Sequence, residues 1–305
     1  MRTLLVTGHG GFVGRAVCAA AAVAPWSSSW RVVTLADDFD IRSASLTRVL
    51  EDLQADCVLH LAGLTSVMDS FKDPEGYFDV NFHGTWNLLR ALRASRFEGR
   101  MLFVSSGDCY GAVGTERLPI DEREPFRPRN PYAVSKAAAE LLCGQWSQSG
   151  TFDVITARPF NHVGPGQDAR FAVAAFGRQV ARIRAGLSEP VIVTGDLDVT
   201  RDLTDVRDVA LAYFALLDRG RNGSAYNVGS GRETPMHDVL DTLMSIAGVR
   251  AEVRPNPALI RADEQRRAVA CVDSIARDTG WAPAIPLPTT LADVIDEWSV
   301  RVQHE

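Results

Sequence analysis

The chain has 305 residues, 46% of them apolar and 23% charged, which suits one large folded domain or two closely joined ones. The apolar fraction excludes global disorder, and a net charge of −6 argues against a general nucleic-acid binder. No membrane partner is expected either, because the longest uncharged run of small apolar residues, 16–24, is about half of what a bilayer requires. Five cysteines (Cys18, Cys57, Cys109, Cys143 and Cys271) are odd in number and lack metal-ligand spacing. Neither a disulfide scaffold nor a metal site is expected from them, and a reducing, cytoplasmic setting is. A strand pattern begins almost at the first residue, without the basic region and cleavage site of a secretory signal.

In chain order, apolar runs at 3–7, 31–35, 57–61, 101–105 and 154–157 read as strands. They are apolar on both faces, as strands of a buried parallel sheet must be. Between them 12–24, 43–53, 74–95 and 132–149 read as helices. This alternation predicts an α/β fold with a doubly wound parallel sheet of the Rossmann type. After residue 165 the pattern changes, with helices expected at 171–185, 206–217, 235–247 and 289–302 and strands at 190–194 and 225–228. The stretches 254–257 and 283–288 read as turns. The expected organisation is a larger half over 1–164, to which parts of about 196–230 return, and a smaller mixed α/β lobe over 165–305.

The first strand runs into Thr7-Gly8-His9-Gly10-Gly11-Phe12-Val13-Gly14, and a helix follows. Gly8, Gly11 and Gly14 permit a tight turn and let backbone N–H groups approach a pyrophosphate at the positive end of that helix, which predicts dinucleotide binding. After the second strand come Asp37, Asp38 and Asp40. A carboxylate there accepts hydrogen bonds from an adenosine ribose and favours NAD, whereas a basic residue favours NADP. Arg15 and Arg42 lie close in sequence, so the choice between NAD and NADP stays open, as does that between Asp37 and Asp40.

Of 32 basic residues only Lys72 and Lys136 are lysine. Lys136 follows Tyr132 by four positions at the start of a helix, which stacks the two side chains on one face. An ammonium beside a phenol favours the phenolate, so the Tyr132 pKa is expected to fall toward neutrality. Such a tyrosine moves a proton to or from a sugar oxygen while a nicotinamide exchanges hydride. A third group is expected at the end of the fourth strand, in Ser105-Ser106-Gly107-Asp108, because strand C-termini line the ligand crevice of such sheets.

These residues, together with His60-Leu61-Ala62-Gly63, Asn81-Phe82-His83-Gly84-Thr85, Arg158-Pro159-Phe160-Asn161, Arg201-Asp202 and Tyr226-Asn227-Val228-Gly229, resemble the extended short-chain dehydrogenase/reductases along nearly the whole chain. That family comprises NAD-dependent nucleotide-sugar epimerases, dehydratases and reductases. The resemblance implies that Ser106, Tyr132 and Lys136 are catalytic, with Lys136 also holding the nicotinamide ribose. It implies cofactor contacts from Gly8, Gly11, Phe12, Val13, Gly14, Asp37, Asp40, Ile41, Leu61, Ala62, Gly63, Pro159 and His162. Asn81 braces the helix beneath the site, and Asn161 hydrogen-bonds the substrate. A substrate diphosphate needs cations, for which Arg178, Arg182, Arg201 and Arg261 are candidates, Arg178 and Arg182 fitting a solvated helix face equally well; the resemblance implies phosphate contacts for Arg201 and Arg261, with Glu264 meeting a ribose.

Within that family, three phrases over 130–140, 157–167 and 201–209 resemble the GDP-4-dehydro-6-deoxy-D-mannose reductases, which use NADPH or NADH to form GDP-D-rhamnose. Dehydration of a hexose needs an acid and a base beyond the tyrosine. In the related dehydratases a Glu, often beside another acid, follows the catalytic Ser or Thr, and here Gly107 and Asp108 stand there. Reduction needs one hydride and one proton, so a reductase is favoured. A 4-epimerase, a 4,6-dehydratase, or the C4-epimeric product GDP-6-deoxy-D-talose remains the alternative. For Asp108 a turn, a substrate hydroxyl and proton transfer all stay open. The family also implies a homodimer through a four-helix bundle of 74–95 and 132–149, for which Leu88, Leu92, Leu141 and Leu142 are available.

Overall fold

Alternate residues of each central strand enter different cores. Leu4, Val6, Leu59, Leu102 and Ile155 face one layer, and Leu5, Val58, Met101, Phe103 and Val154 face the other. That is why the runs are apolar throughout and not alternating. The computed structural model describes residues 1–23, 25–148, 150–260 and 265–305. Its elements begin with β1 (Arg2–Thr7), α1 (Phe12–Ala21), β2 (Trp30–Thr34), α2 (Leu46–Leu53), β3 (Cys57–His60), α3 (Val67–Ser70), α4 (Pro74–Phe78), α5 (Gly84–Ala94) and β4 (Arg100–Val104). There follow α6 (Pro131–Ser147), β5 (Asp153–Pro159), β6 (Asn161–Val163), α7 (Ala172–Arg184), β7 (Val191–Thr194), β8 (Thr200–Asp205) and α8 (Val206–Arg219). The chain ends with β9 (Ala225–Val228), β10 (Glu233–Pro235), α9 (Met236–Ala247), β11 (Glu252–Pro255), α10 (Asp273–Thr279) and α11 (Leu287–Arg301).

The main sheet has six strands in the order β2-β1-β3-β4-β5-β9, all parallel. Helices α1, α8 and α10 cover one face through Val17, Val209, Tyr213 and Ile275. Helices α2, α5 and α6 cover the other through Leu50, Leu88, Leu92 and Cys143. A third core joins α7, α9 and α11 around Phe176, Leu240 and Trp298. Two small sheets accompany it, β10-β8-β6 and β11-β7. The stretch 254–257, expected as a turn, thus begins inside β11, a strand paired with β7. Neither β11 nor β8 carries an apolar alternation that would mark it. Among the described residues no helix is long and apolar enough to cross a membrane.

The single helix expected over 74–95 is interrupted. Between α4 and α5 the turn Asp79–His83 is a π-helix. The wider turn presents Asn81 to two segments at once. Its Nδ2 donates to the Leu64 carbonyl at 3.0 Å and to Ser135 Oγ at 2.9 Å, and its Oδ1 accepts from Leu64 N–H at 2.8 Å. Such bulges occur where a side chain must be re-aimed for a specific contact. Leu88 and Leu92, offered above for a helix-bundle surface, are buried in the sheet-facing core, whereas Trp86, Val134 and Leu141 are exposed.

Asn81→Ala removes all three bonds, strands the backbone groups of Leu64 and takes from the Ser135 hydroxyl the bond it accepts. The expected loss is about 1–3 kcal/mol of unfolding free energy, read as a lower urea midpoint with an unchanged slope.

Candidate active site

The turn after β1 is shaped by steric exclusion. Gly8 has φ +73°, and a methyl group on it would lie 2.6 Å from the Ala62 nitrogen; one on Gly14 would lie 2.4 Å from the Gly8 carbonyl oxygen. Only hydrogen fits at either point, so the turn closes tightly against the segment after β3. Gly11 caps α1 without any side-chain hydrogen bond, and its own N–H donates to Gly8 at 3.1 Å. Phe12 and Val13 open the helix, at its positive end, where the first N–H groups have no partner within the helix. Arg15 bridges the turn to the loop after β6, donating to the carbonyls of Gly10 at 2.6 Å and Gly166 at 2.9 Å.

A cavity of about 260 Å³ adjoins the turn, and Asp37, Ile41 and Ala62 line it. Sequence reasoning did not single out His9, Phe39 and Leu35, which line it too. Asp40 is directed elsewhere: Arg42 forks its carboxylate with bonds of 2.9 and 2.6 Å and holds it below the usual carboxylate range. At the other end of the crevice the His162 ring stacks on Phe12, with centroids 6.0 Å apart and planes 13° from parallel. His162 Nδ1 donates to the Phe160 carbonyl at 3.1 Å, and burial pushes its pKa down. Pro159, the last residue of β5, is buried beside it.

Tyr132 and Lys136 share the inner face of α6, as their spacing required, and both are buried. Asn130 caps this helix by accepting from Ala133 N–H at 2.7 Å, and Pro131 occupies its first position, where no N–H is needed. Ser106 ends β4 and caps the short turn Gly107–Tyr110, where its Oγ accepts from Asp108 N–H at 3.1 Å. The Ser106 side chain lies close enough to the Tyr132 hydroxyl to act on its proton.

The expected fall in the Tyr132 pKa is not what the structure gives. Burial, then the charge of Asp108, pushes the phenol up, and the Ser106 side chain pulls the other way. Lys136 directs its ammonium instead to the wall after β3. A methyl group on Gly63 would lie 3.9 Å from its Nζ, and the Phe103 ring centre is 4.8 Å away. Burial pushes the Lys136 pKa down to about 8. Phe103, in contact with the ammonium, was legible only as an inward strand position.

The predicted substrate residues are less closely gathered. Asn161 is exposed at the start of β6, and Asp108 is exposed beside Tyr132. Arg201 donates to the carbonyls of Thr200 at 2.7 Å and Gln265 at 2.9 Å. Arg178 and Arg182 both pair with Glu305, at 2.8 and 2.6 Å. Arg261 and Glu264 lie outside the described residues.

The site fits a nicotinamide dinucleotide. The turn excludes side chains where a pyrophosphate would rest, the helix end leaves N–H donors free, and a buried ammonium is aimed at the groove wall. Comparison with known proteins agrees. Residues 4–229 match the NAD dependent epimerase/dehydratase family.

The chain belongs to that family.

It is 42% identical over 302 residues to the GDP-6-deoxy-D-mannose reductase of Pseudomonas aeruginosa, covering 99% of each protein. The solved structure of RMD from Pseudomonas aeruginosa complexed with NADPH superposes with a TM-score of 0.92 at 41% identity, covering 99% of this chain and all of that one. More distant is the UDP-glucose 4-epimerase of Thermus thermophilus in complex with NAD, at 29% identity, 97% and 98% coverage and a TM-score of 0.84. A dTDP-glucose 4,6-dehydratase of Xanthomonas campestris is 29% identical, covering 97% of this chain and 93% of the relative.

Lys136 has a pKa near 8 when folded, below its ordinary value, so its protonated form destabilises the native state. This penalty is complete below pH 8 and fades as pH rises toward the unfolded value of about 10.5. Lys136→Met is therefore expected to raise unfolding free energy by about 1–3 kcal/mol at pH 7, with the gain shrinking through pH 8 to 10. Denaturant titrations at several pH values test this.

Proposed function

We propose that this protein reduces the 4-keto group of GDP-4-dehydro-6-deoxy-D-mannose to give GDP-D-rhamnose, with NADPH or NADH as reductant. The observation that carries this reading is the contact of Ser106 with the buried Tyr132 hydroxyl, one helical turn from an ammonium facing the dinucleotide groove. Full-length similarity to a GDP-6-deoxy-D-mannose reductase supports the substrate class.

When bound, the dinucleotide supplies the hydride. Ser106 hydrogen-bonds the ketone oxygen and holds it against Tyr132. Tyr132 gives its proton to that oxygen as the C–H bond forms at C4, and the charge on the phenolate is met by the Lys136 ammonium and later by a proton from solvent. The ammonium also holds the nicotinamide ribose. Gly8, Gly11, Phe12, Val13 and Gly14 hold the pyrophosphate, Leu61 to Gly63 with Pro159 and His162 flank the nicotinamide, and Asn161 and Arg201 meet the sugar nucleotide. On this reading residues 1–164, with 196–230 returning, form the dinucleotide half, and 165–305 mainly form the sugar-nucleotide lobe. The enzyme acts in the cytoplasm as a homodimer whose four-helix bundle is built on α5 and α6 around the exposed Trp86, Val134 and Leu141.

Mixing the protein with the keto sugar and either reduced dinucleotide is expected to consume the reduced nicotinamide in proportion to alcohol formed; no consumption with either one overturns the assignment. Tyr132→Phe should bind dinucleotide as wild type does while kcat falls about 100- to 10,000-fold. Unchanged turnover in that variant removes Tyr132 from its role.

A further inference from the structure

The Tyr132 ring has an aromatic neighbour that the proposed mechanism does not use. Tyr77, on α4, is buried. Its ring centre lies 6.4 Å from that of Tyr132, with the planes 83° apart, which is the edge-to-face arrangement aromatic pairs prefer. The short helix that carries it has a fixed start. Asp73 caps it by accepting from Gly76 N–H at 2.9 Å, and Pro74 occupies its first position.

The Tyr77 hydroxyl is tied at its far end. It donates to the Ser66 carbonyl at 2.6 Å, in the wall after β3. Ser66 is itself well held: its side chain caps α3 by accepting from Asp69 N–H at 3.2 Å, and its carbonyl also accepts from Ser70 N–H at 3.1 Å. Asn81, four positions after Tyr77, holds Leu64 in the same wall. Two side chains four positions apart thus fix two wall residues that are two positions apart. Tyr77 gives its one hydroxyl proton to a backbone carbonyl, so it is not set up as a second acid. Its ring is anchored at both ends, on α4 and on the wall, and is a rigid neighbour for the Tyr132 ring.

We propose that Tyr77 is a positioning residue, whose anchored ring holds the Tyr132 ring in the orientation from which its proton reaches the ketone. This rests on the reading of Tyr132 as the acid and adds the residue that aims it. A phenol turns about two side-chain torsions, and misplacing a reacting group by about 1 Å costs on the order of 100-fold in rate.

Wild type, Tyr77→Phe, Tyr77→Leu and Tyr77→Met are compared for dinucleotide Kd, kcat with the keto sugar and the solvent deuterium isotope effect on kcat, with rates counted per dinucleotide site bound. Tyr77→Leu and Tyr77→Met refill much of the volume without a ring. Both are expected to bind dinucleotide as wild type does and to lose about tenfold or more in kcat. Their isotope effect should rise, because proton transfer then limits the rate. Tyr77→Phe keeps the ring and is expected to hold kcat within about threefold of wild type. A merely structural loss would reduce the number of folded sites and leave kcat per site and the isotope effect unchanged; that result in the two aliphatic variants overturns the proposal. A fall in Tyr77→Phe as deep as theirs also overturns it, because the hydroxyl and not the ring would then be responsible. No turnover by wild type removes the acid role of Tyr132 together with this inference, whereas normal wild-type turnover with unaffected aliphatic variants removes this inference alone.

Discussion

A single chain of hydrogen bonds joins the glycine turn after β1 to α6, and its direction is fixed at every step. Ala62 N–H donates to Thr7 Oγ1 at 3.2 Å, and Thr7 Oγ1 donates in turn to His60 Nδ1 at 2.8 Å. His60 Nε2 donates to Thr85 Oγ1 at 3.0 Å, because the Thr85 hydroxyl proton is already committed to the Asn81 carbonyl at 2.6 Å. Asn81 passes on to Ser135, whose hydroxyl donates to the Tyr132 carbonyl at 2.8 Å. This order requires a neutral imidazole protonated on Nε2. Burial first, and the nearby Lys136 charge second, push His60 down to about 3 and guarantee that state. Each hydroxyl both gives and accepts, so no member can be lost without orphaning a neighbour.

The same helix is gripped two turns further along by a charged network. Arg158 donates twice to Glu140 Oε1, at 2.8 and 2.6 Å, and once to Tyr110 Oη at 2.8 Å; Tyr110 continues to Asn227 on β9 at 2.7 Å. Glu140 lies one turn beyond Lys136, so α6 presents tyrosine, ammonium and carboxylate on successive turns of one buried face. A buried ion pair contributes little net stability once desolvation is counted, and what it does supply is a fixed rotation and depth for the helix. Rotation of α6 by a few tens of degrees would withdraw the Tyr132 hydroxyl from Ser106. The two networks, one neutral and one ionic, both oppose that rotation.

Much of this was legible before any coordinates. The strands of the main sheet announced themselves as short runs apolar on both faces, and the glycine turn and the Tyr132–Lys136 spacing placed the two ends of the crevice. What stayed hidden depends on contacts distant in sequence. The π-turn at Asn81 leaves no mark in a pattern read at helical period, because its cause is a side chain reaching 54 positions on to Ser135. The strands β8 and β11 are polar, and are strands because a partner backbone lies alongside. Arg178 and Arg182 looked like free cations until the chain brought Glu305 to them from 127 and 123 positions away. Leu88 and Leu92 carried the right residue type on the right helix, but helical phase alone does not tell a sheet-facing stripe from an exposed one.

The direction of the Tyr132 shift bears on the chemistry itself. A phenol coaxed toward phenolate is ready to take a proton, which suits oxidation of an alcohol. Reduction asks the opposite: the acid must keep its proton until negative charge appears on the ketone oxygen. Burial and the Asp108 charge hold the Tyr132 proton in place. Lys136, pushed down to about 8, is still protonated at neutral pH, and in the proposed mechanism it meets the charge of the phenolate once the proton has gone. The same desolvation that weakens the ammonium strengthens every charge it meets. In the proposed mechanism the burial that destabilises Lys136 in the folded chain is therefore the condition under which the pair works as donor and counter-charge, and the two buried networks around α6 keep both groups there.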